Sequence, residues 1–557
     1  MLTFPQLPYT RQTYEDAAPK IQEMVERFKN AKTAEEAKTV CLNMDALSSN
    51  FIADYIVCYI RNHLDTSDKF YEDEQAHYDE IMPRVMEEFH AWTNALLETP
   101  FRKELSAEYG EIGFINAEIA KRSFSPDIVA DSQEENALMT RYTKLLASAK
   151  IEFRGEEYNL AQMGPFALDA DRATRKEATE ATAYWSIAHQ AQFDEIYDKL
   201  VALRTKMGKT LGHDNFIPAG YDKQGRNCYG PDEVAAYRAA VLEHIVPLVV
   251  KLKEKQAARI QVEEIKPYDD NLLFLDGNAA PKGTPDEILE AGRKMYHELS
   301  PETAEYIDAA LKLESFDVLA KPNKAPGGFC YTIDKYKIPF VYANFNGTSD
   351  DVETLTHEVG HAFAAWRAFN YPISAQREYT FETAEVHSMA MEFLTWPWME
   401  LFYGNETDKF KQAHLENALS FLPYGCMVDE FQHIIYENPN MTPDERNKTW
   451  MELENKYRPW RKNEGVPFHA DGRRWQLQSH IYQRPFYYID YCLAQTNALA
   501  IWALSQNDWK DAWQKYFAFL EQAGTMTFVD LTAGAGLPSP FTPDALKLVA
   551  QAVENWL

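Results

Sequence analysis

Long runs of apolar residues spaced three and four apart constrain this chain more than any other feature. The stretches TAEEAKTVCLNMDALSSNFIADYIVCYIRNHL and DEQAHYDEIMPRVMEEFHAWTNALL keep that spacing over many turns, and it puts apolar side chains on one face of a helix. Residues 13–150 read as helix after helix, and the pattern resumes at Asp171-Arg172 and runs to about Gly212. Glycine is scarce, 23 of 557 residues, which agrees with helix because glycine weakens helix interiors. Departures are few. IEFRGEEYNL, residues 151–160, alternates around Gly155 and predicts a strand-turn-strand. Residues 265–287 carry Pro267, Gly277, Pro281, Gly283 and Pro285. They predict a surface loop, an excursion within one domain rather than a linker. Pro326-Gly327-Gly328 marks a turn, and CYTIDKYKIPFVYANFNGTS after it predicts two short strands. The expected fold class is mainly α, with a small β-sheet next to the helix that follows.

Composition narrows the function. The chain is 45% hydrophobic and 25% charged, ordinary for a soluble globular protein. Its 56 Lys and Arg against 85 Asp and Glu leave a net charge of −29. That argues against nucleic acid, whose phosphates need clustered cations, and favours neutral or cationic substrates over acidic ones. Cys41, Cys58, Cys228, Cys330, Cys426 and Cys492 are scattered without a CxxC pair and read as free thiols. The opening MLTFPQLPYTRQTYEDAAPK has no basic-then-apolar leader pattern. No apolar run approaches the ~18 residues of a spanning helix. A cytoplasmic protein with no membrane partner is expected; the oligomeric state is not specified.

The chemistry begins at SDDVETLTHEVGHAFAAW. Ser349 and Asp350 suit a helix N-cap. Val352, Leu355, Val359, Phe363 and Trp366 then share one apolar face, with His357 and His361 nearly opposite. Histidines four apart stack along a helix and can share one zinc at about 2.0–2.1 Å. Gly360 and Ala364 leave room beside them. HExxH alone is moderate evidence. A catalytic zinc also needs a third protein ligand and an open position. REYTFETAEVHSMAMEFLTW reads as a second helix whose Glu378, Glu382, Glu385 and Glu392 form one stripe. An acidic stripe is usually a solvated face, but Phe381 and Met389 interrupt this one as if it were partly buried. Glu385 is the candidate third ligand. His387 is the rival, on the other face if Glu385 points inward.

SDDVETLTHEVGHAF followed by FETAEVHSMAMEF resembles the M3 family of zinc oligopeptidases, of the thimet oligopeptidase and oligoendopeptidase F type. FDVLAKPNKAPGGFCYTI, IPFVYANFNGTSDDVETL, the Asp171-Arg172 region and AGAGLPSPFTPDAL extend the likeness. Relatives often carry His where this chain has Ala364; that His is not a ligand. The resemblance implies His357, His361 and Glu385 as ligands of one Zn2+ per chain. Glu392, seven residues past Glu385, is implied as a support residue, and Glu382 on the same stripe joins it. The resemblance also implies that His480, Tyr488 and Tyr491 in SHIYQRPFYYIDYCLAQTNALAIW donate to the tetrahedral intermediate. Tyr482 and Tyr487 are close rivals in register, and an aromatic-rich helix is otherwise usually core. Pro485 is expected in that helix's first turn. Val341, Ala343 and Phe345, on a strand just ahead of the HExxH helix, are expected to bind peptide backbone along a sheet edge.

The implied architecture is two helical lobes enclosing a deep substrate cleft. An N-terminal helical region, residues 1–195, would form part of its wall, and residues 196–557 the M3-type catalytic domain. The expected function is a zinc-dependent endopeptidase hydrolysing internal bonds of short oligopeptides, with Glu358 as general base on zinc-bound water. A zinc exopeptidase is the main alternative. It needs a fixed charge to hold a chain terminus, and the sequence marks none. A non-catalytic helical peptide-binding protein is the other.

Overall fold

The structure, a computed structural model, describes residues 2–345 and 349–556. It is mainly helical, and its caps follow local chemistry. Asp171 accepts from the backbone N–H groups of Ala173 and Thr174 to open Arg172–Thr210. Thr284 and Glu287 form a capping box at the start of Pro285–Leu299. The expected hairpin is β1 (Ile151–Phe153) and β2 (Glu156–Tyr158), antiparallel. Arg154 and Gly155 between them have φ of 51° and 85°, the left-handed pair that a two-residue turn requires.

The chain forms two compact units, both discontinuous. The first is Met1–Lys121, Ala280–Thr407 and Asn497–Ser539; the second is Arg122–Ala279, Asp408–Thr496 and Pro540–Leu557. The division expected at residue 195 falls inside the single long helix Arg172–Thr210, so the compact units part elsewhere. The proline- and glycine-rich loop 265–287 holds one of the crossings, at Ala279. It is a connection between units rather than an excursion within one. Its first half is tied down in the second unit. Gln256 Nε2 donates to the carbonyls of Asp269, Asp270 and Leu272. Arg172 and Arg175 both pair with the fully buried Asp269.

The first unit holds a three-stranded sheet of β3 (Phe316–Leu319), β4 (Phe329–Ile333) and β5 (Ile338–Phe345) in the order β3-β5-β4. β3 runs parallel to β5 and β4 antiparallel to it. This corrects the expectation for Val341, Ala343 and Phe345. β5 is the central strand, its neighbours occupy both sides, and those three residues are 0%, 1% and 2% exposed. A strand so apolar is apolar because it is covered. The edges are β3 and β4.

After β5 come α1 (Ser349–Ala368), α2 (Phe381–Leu394), α3 (Tyr488–Ser505) and α4 (Trp509–Glu521). α1 buries Val352, Leu355, Val359 and Phe363, as its periodicity predicts. It crosses α2 at Gly360, where an added Cβ would meet the His387 carbonyl oxygen at 2.5 Å and Ser388 Cα at 2.7 Å. Both are backbone atoms, so the two helices would have to separate. Gly360→Ala is therefore expected to cost about 1–3 kcal/mol of stability and to weaken metal binding, because α1 and α2 carry different ligands. A variant with wild-type Tm and metal content would contradict this close crossing.

Candidate metal centre

α1 begins at Ser349, so Ser349 and Asp350 lie in its first turn; the cap position, residue 348, is outside the described residues. His357 and His361 follow two and three turns in, on the face away from the apolar stripe, and both are half-buried. Glu385 comes from α2 and is buried. Its Oε2 lies 3.4 Å from His357 Nε2 and 3.7 Å from His361 Nε2. These separations are long for N–H···O bonds. They suit donors that share an ion: two ligands at about 2.05 Å and tetrahedral angles sit about 3.4 Å apart. One donor atom from each of the three residues lies within 4.8 Å of the others, and among the described residues no other such group of His, Cys, Asp and Glu occurs. The residues fit a metal by donor type, spacing and access.

The support around the ligands is equally specific. His357 Nδ1 meets Glu392 Oε1 at 2.7 Å, which keeps a proton on Nδ1 and turns Nε2 toward the shared point. His361 hydrogen-bonds to the backbone at Ala384. Ser388 Oγ donates to the Glu385 carbonyl at 3.0 Å and approaches its Oε2 at 3.3 Å. Glu392 thus stands in contact with His357, one of the candidate ligands. Glu382 is buried in the first turn of α2, where the Thr380 hydroxyl donates to its Oε1 at 2.6 Å.

His387 faces the other way. It is fully buried, packs edge-on against Tyr379 and Phe519, and its carbonyl accepts from Tyr516 Oη on α4 at 2.9 Å. Burial pushes its imidazole down to about 3, so it is a neutral core residue.

Charge within the site is uneven. Burial opposes a charged His357, yet the carboxylates of Glu385 and Glu392 beside it outweigh that and hold its proton well above the ordinary range. Burial takes His361 down to about 4. Burial also opposes the Glu385 charge, but His357 and His361 keep it below the usual carboxylate range. Loading a dication is therefore coupled to release of the His357 proton.

Glu358, between the histidines, is 8% exposed. Its Oε2 is buried without a hydrogen-bond partner. Burial, reinforced by Glu385 and Glu392 against the opposing His357, raises it to about 7. An added Cβ on Gly328 would stand 3.6 Å from Glu358 Oε1, so the entry to edge strand β4 adjoins this carboxylate. Cys330, next but one on β4, is half-buried and within the electrostatic reach of Glu358. Sequence reasoning missed Gly328 and Cys330; the signal was the Pro326-Gly327-Gly328 turn leading directly into a strand.

His480, Tyr488 and Tyr491 belong to the second unit, where they form a cluster of their own. His480 lies 4.8 Å from Tyr488 and 6.0 Å from Tyr491 between ring centroids, and the two tyrosines lie 5.9 Å apart. Gln478 Nε2 meets His480 Nδ1 at 3.0 Å, and Tyr424 Oη donates to Gln478 Oε1 at 2.6 Å. Both tyrosines are half-buried, whereas the rival Tyr482 is fully buried and stacked on Tyr142 at 4.0 Å. Tyr487 is buried but stays within this cluster, 4.9 Å from Tyr491. Pro485 is not in the first turn of α3. Phe486 takes a φ of 67° and its N–H donates to Gln432 Oε1 at 3.0 Å, so the helix starts only at Tyr488.

A mainly helical protein with two imidazoles and a carboxylate on crossing helices, and a buried glutamate between the imidazoles, is a metalloendopeptidase of the HExxH class. "Peptidase family M3" matches residues 166–548 and "Peptidase M3 N-terminal domain" residues 4–124. The chain belongs to peptidase family M3. It is 44% identical to the solved structure of PZ peptidase A with inhibitor 2, with a TM-score of 0.92 over 99% of this chain and 98% of that one. It is 22% identical to the group B oligopeptidase PepB of Streptococcus agalactiae over 90% of this chain and 88% of that protein. It is 21% identical to the oligopeptidase PepF of Bacillus subtilis over 76% of this chain and 66% of that protein, just under two thirds of its length.

Proposed function

We propose that this chain is a zinc-dependent endopeptidase of short oligopeptides, with His357, His361 and Glu385 holding the ion and Glu358 as general base. The convergence of one carboxylate oxygen on two Nε2 atoms carries the reading. Zinc, when bound, acidifies water and polarises the scissile carbonyl. Glu358 accepts a proton from the attacking water and returns it to the leaving amine. Its burial suits that task, because a base near neutrality can both take and give. Glu392 orients His357. His480, Tyr488 and Tyr491 donate to the oxyanion; support comes from the family resemblance, their clustering and the half-burial of both tyrosines. The peptide pairs with β4, the edge strand that starts beside Glu358.

Residues 1–195 as a wall of the substrate's path and 196–557 as the catalytic region are part of the same proposal. So is a cytoplasmic location, which six free cysteines favour. No described helix is long and apolar enough to cross a membrane.

A peptide blocked at both ends tests the reading. Hydrolysis at an internal bond is expected, lost on chelation and restored by one zinc per chain. No cleavage of the blocked peptide, with trimming of free ends, would make the protein an exopeptidase instead.

A further inference from the structure

The two faces of edge strand β4 look onto different surroundings, and every group involved belongs to the first unit. Side chains alternate along an extended chain. Gly328 and Cys330 turn toward α1. An added Cβ on Gly328 would stand 3.4 Å from Thr354 Cγ2 and 3.6 Å from Glu358 Oε1, and Cys330 lies within the electrostatic reach of Glu358. Phe329 and Tyr331 turn the other way, toward the helix Ala34–Leu64. Between ring centroids, Phe329 stacks on Tyr342 of β5 at 4.4 Å and meets Tyr59 edge-on at 5.7 Å. Tyr59 in turn meets Tyr331 at 5.1 Å and stacks on His63 at 4.0 Å.

These rings form one continuous aromatic face, and it is left open. Tyr331 is 39% exposed, while Phe329, Tyr59 and His63 are half-buried. A lone exposed ring needs no explanation, but touching rings along the edge of a sheet mark a surface that receives something apolar. The strand itself says what. Its outward main-chain groups accept an extended backbone, and a chain paired with them continues the sheet. The side chains of that chain then alternate in step with those of β4. One set falls on the α1 face with Gly328, Cys330 and Glu358. The other falls on the rings.

We propose that Tyr59 and Tyr331 form a subsite for an aromatic or large aliphatic side chain of the peptide, on the face of the paired backbone turned away from Glu358. The inference rests on the reading that the peptide pairs with β4, and it adds the class of side chain bound there. β4 is five residues long, so one substrate position, or two positions two apart, can reach the rings. Preference for apolar residues therefore has a period of two along the paired segment. An apolar side chain laid on these rings buries area and gains ring contact. A charged side chain in the same place loses water without a partner in return.

Peptides blocked at both ends test this, with one Phe moved stepwise through an otherwise constant sequence of Ala and Gln. Mass spectrometry locates the cleaved bond, and kcat/KM is compared with that of the peptide carrying Gln at the same place. The wild type is expected to gain at least about tenfold from Phe at one position, or at two positions two apart, mostly through KM. Tyr331→Ala should bring that ratio to about one, whereas Tyr331→Phe, which keeps the ring, should preserve it. Tyr331 is the most exposed of the four rings, so neither change threatens the fold. No gain from Phe at any position, or a gain undiminished in Tyr331→Ala, would overturn the subsite. So would a gain that depends on Tyr331 at two adjacent positions. Stepwise N-methylation of the substrate backbone checks the pairing separately. If no N-methyl group slows cleavage, the pairing with β4 fails and takes the subsite with it. Cleavage of none of the peptides would instead remove the endopeptidase reading itself.

Discussion

Glu358→Gln is expected to keep one zinc per chain and to lose about 10²–10⁴-fold in kcat, the range assigned to positioned proton transfer. The reasoning is geometric. The three donor atoms that converge come from His357, His361 and Glu385, and Glu358 is not among them. An amide has the volume of the carboxylate and fits the same buried position. It cannot take a proton from water. Burial raises the Glu358 carboxyl to about 7 in the metal-free site; a bound dication opposes that rise, so the base is charged when it works. Metal content by mass spectrometry and single-turnover hydrolysis of an internally quenched peptide check both halves. Full activity in the variant would assign the base elsewhere, and loss of zinc would show that Glu358 helps to hold it.

Much of this site was legible because it is local. The spacing of His357 and His361 fixes their relation on α1, and the stripe on α2 sets Glu385 opposite His387. Each needs only helical geometry. Gly360 was noticed as small, but the reason it must be small is the backbone of α2 at 2.5 Å, which one helix's sequence does not contain. β5 was misjudged for a related reason. An apolar strand before a helix was read as an edge, yet Phe340, Val341 and Tyr342 are apolar or aromatic because β3 and β4 flank them. Strand order is a long-range property, and periodicity does not report it. The start of α3 was misplaced because proline signals a helix start only when the residues after it stay helical, and Phe486 turns left-handed instead.

Glu385→Ala and His387→Ala, two residues apart on α2, should fail in opposite ways. Removing Glu385 takes one of three protein ligands. Altering a group that merely orients a ligand typically costs 10–100-fold in metal affinity, so loss of a ligand should exceed about 100-fold and leave the protein without zinc at micromolar supply. It should leave the fold of the apoprotein nearly as stable, because a buried carboxylate is replaced by a methyl group. His387 contributes nothing to the ion. It fills the space between Tyr379 and Phe519, and its removal opens a cavity in the packing of α2 against α4, which the retained Tyr516 bond to the backbone carbonyl only partly steadies. His387→Ala is therefore expected to lose about 1–3 kcal/mol of stability, in the range of core truncations, while binding zinc within a few-fold of wild type. Zinc titration and thermal unfolding of the two apoproteins separate these outcomes. If His387→Ala sheds the metal and Glu385→Ala keeps it, the imidazole that packs in the core here must turn toward the ion in solution, and the ligand set drawn from α2 is wrong.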